Sequence, residues 1–232
     1  MTDELVLRPI AKIRTDFPSK FGIPRQAGIV QPLLGTVIFE PEYRVDEALR
    51  GLEQFSHIWL IWGFSENYGR EWSPTVRPPR LGGNTRMGVF ATRSPFRPNE
   101  LGLSCVRLLG IHRDAEGSVL KVDGVDMMDG TPIYDIKPYI PYADCIPEAA
   151  CGFAPDAGTT LSVCFSEDLL QKVPEKKRAG LLAVLANDPR PRYQKDPERI
   201  YGMDFAGLEI FFRVEKELLT VTDVVDGKGE SG

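Results

Sequence analysis

The sequence predicts a mainly β protein (α+β overall), with a single-sheet antiparallel β-barrel core and a smaller C-terminal α/β appendage. Three observations predict it. Short apolar or alternating runs recur between turn residues, and 22 Gly and 19 Pro in 232 residues supply the breaks. Short strands joined by Gly/Pro turns suit a closed or nearly closed antiparallel sheet. From about Pro155 the pattern changes to a helical one. No G-x-G-x-x-G follows an early strand and no Walker lysine motif occurs, which disfavours a Rossmann-type nucleotide site. The expected division is a barrel over 1–154 and an appendage over 155–232.

In chain order, Leu5–Thr15 reads as a strand and Thr36–Phe39 as a short one. Asp46–Phe55 reads as a short helix, with Asp46 as N-cap and Ala48, Leu49, Leu52 and Phe55 on one face. Gly51 weakens or ends that helix. His57–Phe64 is apolar, aromatic and β-branched, the pattern of a buried strand. Met87–Thr92, Leu101–Gly110 and Ser118–Val125 continue the series, and Thr131–Ile140 is extended until Pro138 and Pro141 stop it. Thr160–Phe165 reads as a strand, Asp168–Ala186 as helical pattern broken by Pro174, and Leu208–Val214 with Glu217–Thr222 as a final hairpin. The tail Gly227–Gly232 is expected to be disordered.

Composition bounds the function. Charged residues make up 26% and hydrophobic ones 42%, as in an ordinary globular protein. A formal net charge of -5 gives no whole-molecule attraction to nucleic acid, so RNA or DNA binding needs local patches and depends strongly on salt. The start, Met1–Ile10, lacks a basic n-region and an apolar h-region, and no apolar run reaches a membrane span. A soluble cytoplasmic protein is expected. Cys105, Cys145, Cys151 and Cys164 form no CxxC pair, and only His57 and His112 could join them, so no metal is assigned.

The most informative block is VRPPRLGGNTRMGVFATRSPFRPNELGLS, Val76–Ser104. Arg77, Arg80, Arg86, Arg93 and Arg97 lie there among prolines and glycines, with Glu100 the only acid. Arginines on a stiff irregular backbone suit bidentate recognition of phosphate or carboxylate, and stiffness reduces the freedom lost on binding. A solvated basic loop is the plainer reading. A second block, Asp126–Tyr139 (DMMDGTPIYDIKPY), holds Asp126, Asp129, Asp135, Lys137 and two tyrosines. In extended geometry Asp135, Lys137 and Tyr139 share a face and offer a general base, a fixed cation and an aromatic platform. An exposed salt-bridged strand fits equally well. Lys20–Gln26 is a turn with a rigid proline, a cation and an amide. Asp188–Tyr193 (DPRPRY) is a rigid basic loop with an aromatic, fit to hold a nucleic-acid backbone and stack a base.

Together these blocks resemble the TrmO (TsaA-like) family of S-adenosylmethionine-dependent tRNA methyltransferases. The resemblance rests on Pro24–Gln26, Gly51–Trp59, Arg77–Asn99, Asp126–Tyr139 and Asp188–Tyr193, nearly end to end and in family order. It implies a β-barrel that binds S-adenosylmethionine without a Rossmann fold, usually as a homodimer. It also implies methylation at N6 of threonylcarbamoyladenosine at tRNA position 37. Carried over by position, Pro24, Arg25, Gln26, Arg93, Leu103, Asp126, Met127, Met128 and Asp129 would contact the cofactor. Ser65 and Glu66 fall at another cofactor-lining pair, where relatives can carry His-Gln. Asn99, Asp135, Lys137 and Tyr139 would face the methyl acceptor, and Arg77, Arg80, Arg86, Arg97, Arg190 and Arg192 the tRNA. Alternatives are a non-catalytic module binding a nucleotide-like ligand and a methyltransferase with another acceptor. An RNA-binding protein without a small-molecule site is disfavoured by the carboxylates of the second block.

Overall fold

A computed structural model describes residues 5–115, 117–155, 158, 160–191 and 196–227. Arg192, Tyr193 and residues 228–232 of the tail lie outside the described residues.

The strands are β1 (Ala11–Arg14), β2 (Leu34–Phe39), β3 (His57–Gly63), β4 (Thr75–Val76), β5 (Met87–Gly88), β6 (Leu101–Asp114), β7 (Gly117–Asp123), β8 (Pro132–Pro138), β9 (Ser162–Cys164), β10 (Tyr201–Phe205), β11 (Leu208–Glu215) and β12 (Leu218–Asp226). The helices are α1 (Pro141–Asp144), α2 (Glu167–Gln171) and α3 (Glu175–Ala186). Strands β1-β2-β7-β6-β3-β8 form a closed antiparallel barrel, and Ala11 opposite Ile133 joins β1 to β8 at the seam. Alternation fills its interior. On β3, Ile58, Leu60 and Trp62 point inward and are buried, while His57, Trp59 and Ile61 lie on the outer face.

A second sheet, ordered β10-β11-β12-β9, is antiparallel except for the parallel pair β12–β9. Helix α3 carries buried Leu181, Val184 and Leu185, and the residues of both sheets belong to one contiguous core. The segment after β1 stitches the halves together. Ala206 N–H donates to Asp16 O at 2.9 Å, and Lys177 Nζ lies 2.7 Å from both Asp16 carboxylate oxygens. The fully buried Phe17 ring meets Phe205 edge-on at 5.4 Å, and Phe21 stacks over Phe212.

Three local expectations are corrected. Asp46–Phe55 is not a helix with Asp46 as N-cap but two 3-10 turns, Asp46–Leu49 and Leu52–Gln54, because Gly51 takes a left-handed φ of 88° between them. The Met87–Thr92 strand stops at Gly88. Val89–Ala91 coils into a 3-10 turn, closed by the Thr92 hydroxyl donating to Val89 O at 2.8 Å. Of Leu5–Thr15, only Ala11–Arg14 is strand, and Pro9 has no N–H to extend the ladder. Tyr201–Phe205 adds a strand that the sequence reading lacks.

Candidate functional site

A cavity of about 590 Å³ opens at the rim of the barrel. The turn Lys20–Gln26, the ends of β3 and β6, the arginine block and the stretch Asp126–Met128 form its walls. That volume lies within the range usual for small-molecule sites.

One wall is a hydrogen-bonded row in the barrel wall. Leu60 pairs with Ser104 and Trp62 with Gly102 across β3 and β6. Trp62 Nε1 donates to Ser104 Oγ at 2.9 Å, and Ser104 Oγ donates to Asp126 Oδ1 at 2.6 Å. Ser104 is only 2% exposed, so these bonds are sheltered from water. Burial pushes the Asp126 carboxyl up to about 6, against bonds from Ser104, its own amide and the Ala27 amide and the field of Arg93, all of which favour its charged form. Gly102 makes room for the indole, since a Cβ there would stand 2.3 Å from the Trp62 ring. Met127 is fully buried beneath the site, and its carbonyl accepts from Thr15 Oγ1 at 3.1 Å.

The opposite wall is basic. An Arg93 guanidinium N–H bonds Gln26 Oε1, which ties the arginine block to the Pro24–Gln26 turn. Arg97 is folded inward and donates to Thr92 O at 3.1 Å and Ser94 O at 3.3 Å. Its guanidinium thus helps to shape the cavity loop, in addition to the RNA-facing role expected of it from the sequence. Arg25 Nη2 donates to Arg190 O at 3.2 Å, so the same turn is also joined to the C-terminal half.

The structure brings together Pro24, Arg25, Gln26, Ser65, Glu66, Arg93, Leu103, Asp126, Met127 and Met128, all of which line this cavity. Asp129 does not line it. Its carboxylate accepts from Thr15 N at 2.9 Å and Arg14 Nη1 at 3.0 Å, securing the end of β1. Asp135 and Lys137 share the outer face of β8 and form an ion pair of 2.8 Å. Tyr139 follows them and packs 5.9 Å from Trp59. The three lie outside the cavity, yet Leu103, Ile61 and Asp135 are opposite one another across β6, β3 and β8. Two interstrand spacings, roughly 10 Å, separate the Leu103 and Asp135 backbones. Asn99 is exposed on the loop entering β6 and lines neither cavity.

A wider groove of about 1800 Å³ continues from the first cavity, with Arg25, Gln26, Thr92, Arg93, Pro95 and Phe96 common to both. Arg77, Arg80, Arg86 and Arg190 line it. Among the described residues Asp188 is its only acid, and the buried-stem Arg190 is bound bidentately to it at 2.8 and 2.9 Å. This region is strongly positive although the chain carries -5. Sequence reasoning missed Trp62, Ser104, Phe90 and Phe96. A serine and a tryptophan at inward positions of otherwise apolar strands were the available signal for the first two. Among the described residues no group of three or more His, Cys, Asp or Glu could hold a metal, and no helix is long and apolar enough to cross a membrane.

The chain is similar to known proteins over most of its length. The tRNA-methyltransferase O N-terminal domain matches residues 12–145, and the TrmO C-terminal domain matches residues 158–227. The chain is 42% identical over 196 residues to the tRNA (adenine(37)-N6)-methyltransferase of Escherichia coli K12, covering 82% of this chain and 83% of that protein. It is 46% identical over 177 residues to the enzyme of that name from Eikenella corrodens, covering 75% and 99%. A crystal structure of TrmO from P. aeruginosa superposes with a TM-score of 0.80 at 35% identity, over 98% of this chain and 99% of that one.

Proposed function

The chain belongs to the tRNA-methyltransferase O family, and on that premise we propose that it methylates N6 of threonylcarbamoyladenosine at tRNA position 37. It is an S-adenosylmethionine-dependent tRNA (adenine-N6)-methyltransferase. The observation that supports the reading best is the joining of two unlike sites. A small cavity lined by the half-buried Asp126 carboxylate and the exposed Glu66 runs directly into a broad arginine-lined groove. The first suits a nucleoside-sized cofactor and the second a polyanion. In this reading the barrel, 1–154, carries catalysis and 155–232 contributes to tRNA binding, in a cytoplasmic homodimer.

The cavity's donor set fits S-adenosylmethionine. Asp126 would offer a carboxylate to its cationic or hydroxyl-bearing part, Arg93 and Arg25 would hold its carboxylate, and Leu103 and Met128 would cover its apolar surface above the buried Met127. When bound, the cofactor supplies an electrophilic methyl on a sulfonium centre, which leaves as a neutral thioether. The protein's remaining task is alignment. N6 of the acylated adenine lies between an aromatic ring and a carbonyl, so it is a poor nucleophile with an acidic N–H. Asp135 takes or orients that proton. Lys137, held 2.8 Å from Asp135, stabilises charge on the carbamoyl oxygen or holds the threonyl carboxylate. Tyr139 stacks the base. A site that grips the acyl group in this way rejects bare adenosine.

The test is methyl transfer from labelled S-adenosylmethionine to total tRNA with and without the threonylcarbamoyl group. Label on modified tRNA alone is expected. Equal label on both would remove the acyl-reading argument, and no label on either would remove the acceptor.

A further inference from the structure

The arginine groove contains a side chain that electrostatics does not account for. Phe90 is 74% exposed and projects from the 3-10 turn Val89–Ala91 into the groove. The turn holds it there firmly. Val89 is buried, its N–H donates to Pro74 O at 3.0 Å, and Thr92 closes the turn behind it. The chain therefore pins the neighbours of an aromatic ring in order to leave the ring in water. Isolated exposed hydrophobes are ordinary, but this one stands inside a positive groove. The β4–β5 ladder, Thr75 opposite Gly88 and Val76 opposite Met87, places exposed Arg77 and Arg86 together beyond its Val76–Met87 end, with Phe90 beyond its Thr75–Gly88 end. Beyond Phe90 the chain leads through Thr92 and Arg93 into the cofactor cavity.

Cations and a fixed ring in one groove are the elements of single-stranded nucleic-acid recognition, in which phosphates pair with arginine and an unstacked base lies on the ring. We propose that Phe90 is a stacking platform for an anticodon-loop nucleotide adjacent to the methyl acceptor, with Arg77 and Arg86 on phosphates farther along the loop. The inference rests on the tRNA reading above and adds to it the part of the loop that is gripped and the residue that grips it. The groove's charge decides between occupants. A protein partner covering Phe90 would have to bury a cluster of arginines, whereas an RNA loop neutralises them.

The test uses the full-length protein and a labelled anticodon stem-loop RNA, with 2-aminopurine placed in turn at the loop positions beside the acceptor. Wild-type protein should quench one of these probes by stacking. Phe90→Ala should abolish that quenching and weaken RNA binding roughly ten- to hundredfold, while S-adenosylmethionine binding is unchanged. Phe90→Trp should restore both, and Phe90→Leu, apolar but without a ring, should not. RNA affinity in Phe90→Leu equal to wild type would overturn the proposal, as would a halved molecular mass in Phe90→Ala, which would assign the ring to a second copy of the chain. Wild-type stem-loop binding with stacking but no methyl transfer would remove the enzymatic reading and leave Phe90 in place. Methyl transfer with unimpaired RNA binding by Phe90→Ala would remove Phe90 alone.

Discussion

Ser104 and Asp126 are joined by a 2.6 Å hydrogen bond inside the barrel wall, and the serine is itself held by the Trp62 indole at 2.9 Å. The hydroxyl has one proton, and Trp62 occupies an acceptor position on its oxygen, so that proton is directed to the carboxylate. Ser104 thereby favours the charged form of a group that burial pushes the other way.

Ser104→Ala should raise the Asp126 pKa further above about 6. If the charged form receives the cofactor, its affinity falls as pH drops through that value, and the variant's fall begins at higher pH. Calorimetric S-adenosylmethionine titrations between pH 5.5 and 8.5 should show a several-fold loss near neutrality that shrinks at the alkaline end. Ser104→Thr should restore the profile. A uniform loss at every pH would reduce Ser104 to packing.

Asp126→Asn should stabilise the cofactor-free protein at pH 8. The folded carboxyl titrates near 6 and the ordinary value is 3.8, so the native state holds a proton that the unfolded state has lost between these values. Stability therefore falls as pH rises through that window and stays lower above it, by up to roughly 3 kcal/mol. Urea midpoints should favour the Asn variant at pH 8 and converge with wild type near pH 4, while its cofactor affinity falls. A variant less stable than wild type at pH 8 would contradict this account of Asp126.

Asp135→Asn should lower kcat about a hundredfold or more, the scale of a lost general base, and leave cofactor affinity intact because Asp135 lies outside the cavity. Single-turnover methyl transfer together with equilibrium binding separates the two. Near-normal turnover would sink the base assignment.

Arg77 and Arg97 should behave differently although both belong to one arginine block. Arg77→Ala removes an exposed groove cation and should reduce the salt dependence of tRNA binding by about one counterion. Arg97→Ala frees the carbonyls of Thr92 and Ser94 and should weaken cofactor binding with little change in that slope. Filter binding across a salt series, beside cofactor titration, reads both.

Gly102→Ala should destabilise the barrel by about 1–3 kcal/mol, the usual cost of overpacking, because the added methyl meets the Trp62 ring. The displaced indole would also release Ser104. Cofactor affinity should fall with the melting temperature, and intact affinity would detach Trp62 from the site.

Much of the barrel was legible because its strands alternate: Ile58, Leu60 and Trp62 face in while His57, Trp59 and Ile61 face out. The Asp135–Lys137 pair followed from the same period. Less legible was whatever depended on distant partners. The strand Tyr201–Phe205, interrupted by Gly202 and Asp204, exists because β11 pairs with it. Closure at Ala11 and Ile133 joins positions with no local sign of each other. The residues expected to hold the cofactor came from motif resemblance, and their convergence on one cavity is a matter of three dimensions. Asp129 shows the limit of carrying a motif over whole, since its neighbours line the cavity and it fastens β1. Arg97 shows the same for charge, because composition counts a guanidinium without revealing that one of its nitrogens bonds the carbonyls of Thr92 and Ser94.

The stitching of Asp16 and Phe17 to Lys177, Phe205 and Ala206 gives the molecule a common origin of measurement. The chain runs from that seam into Pro24–Gln26, the turn that borders the smaller cavity, and Arg25 then reaches across to Arg190 at the arginine groove. A misplacement of ~1 Å between reactants can cost about a hundredfold in rate. In the proposed reaction a cofactor and an RNA held by these two surfaces would share one seam as their reference, so drift of the halves would move them together. The halves act as a jig, and cutting the chain between them would cost registration before it cost either ligand its grip.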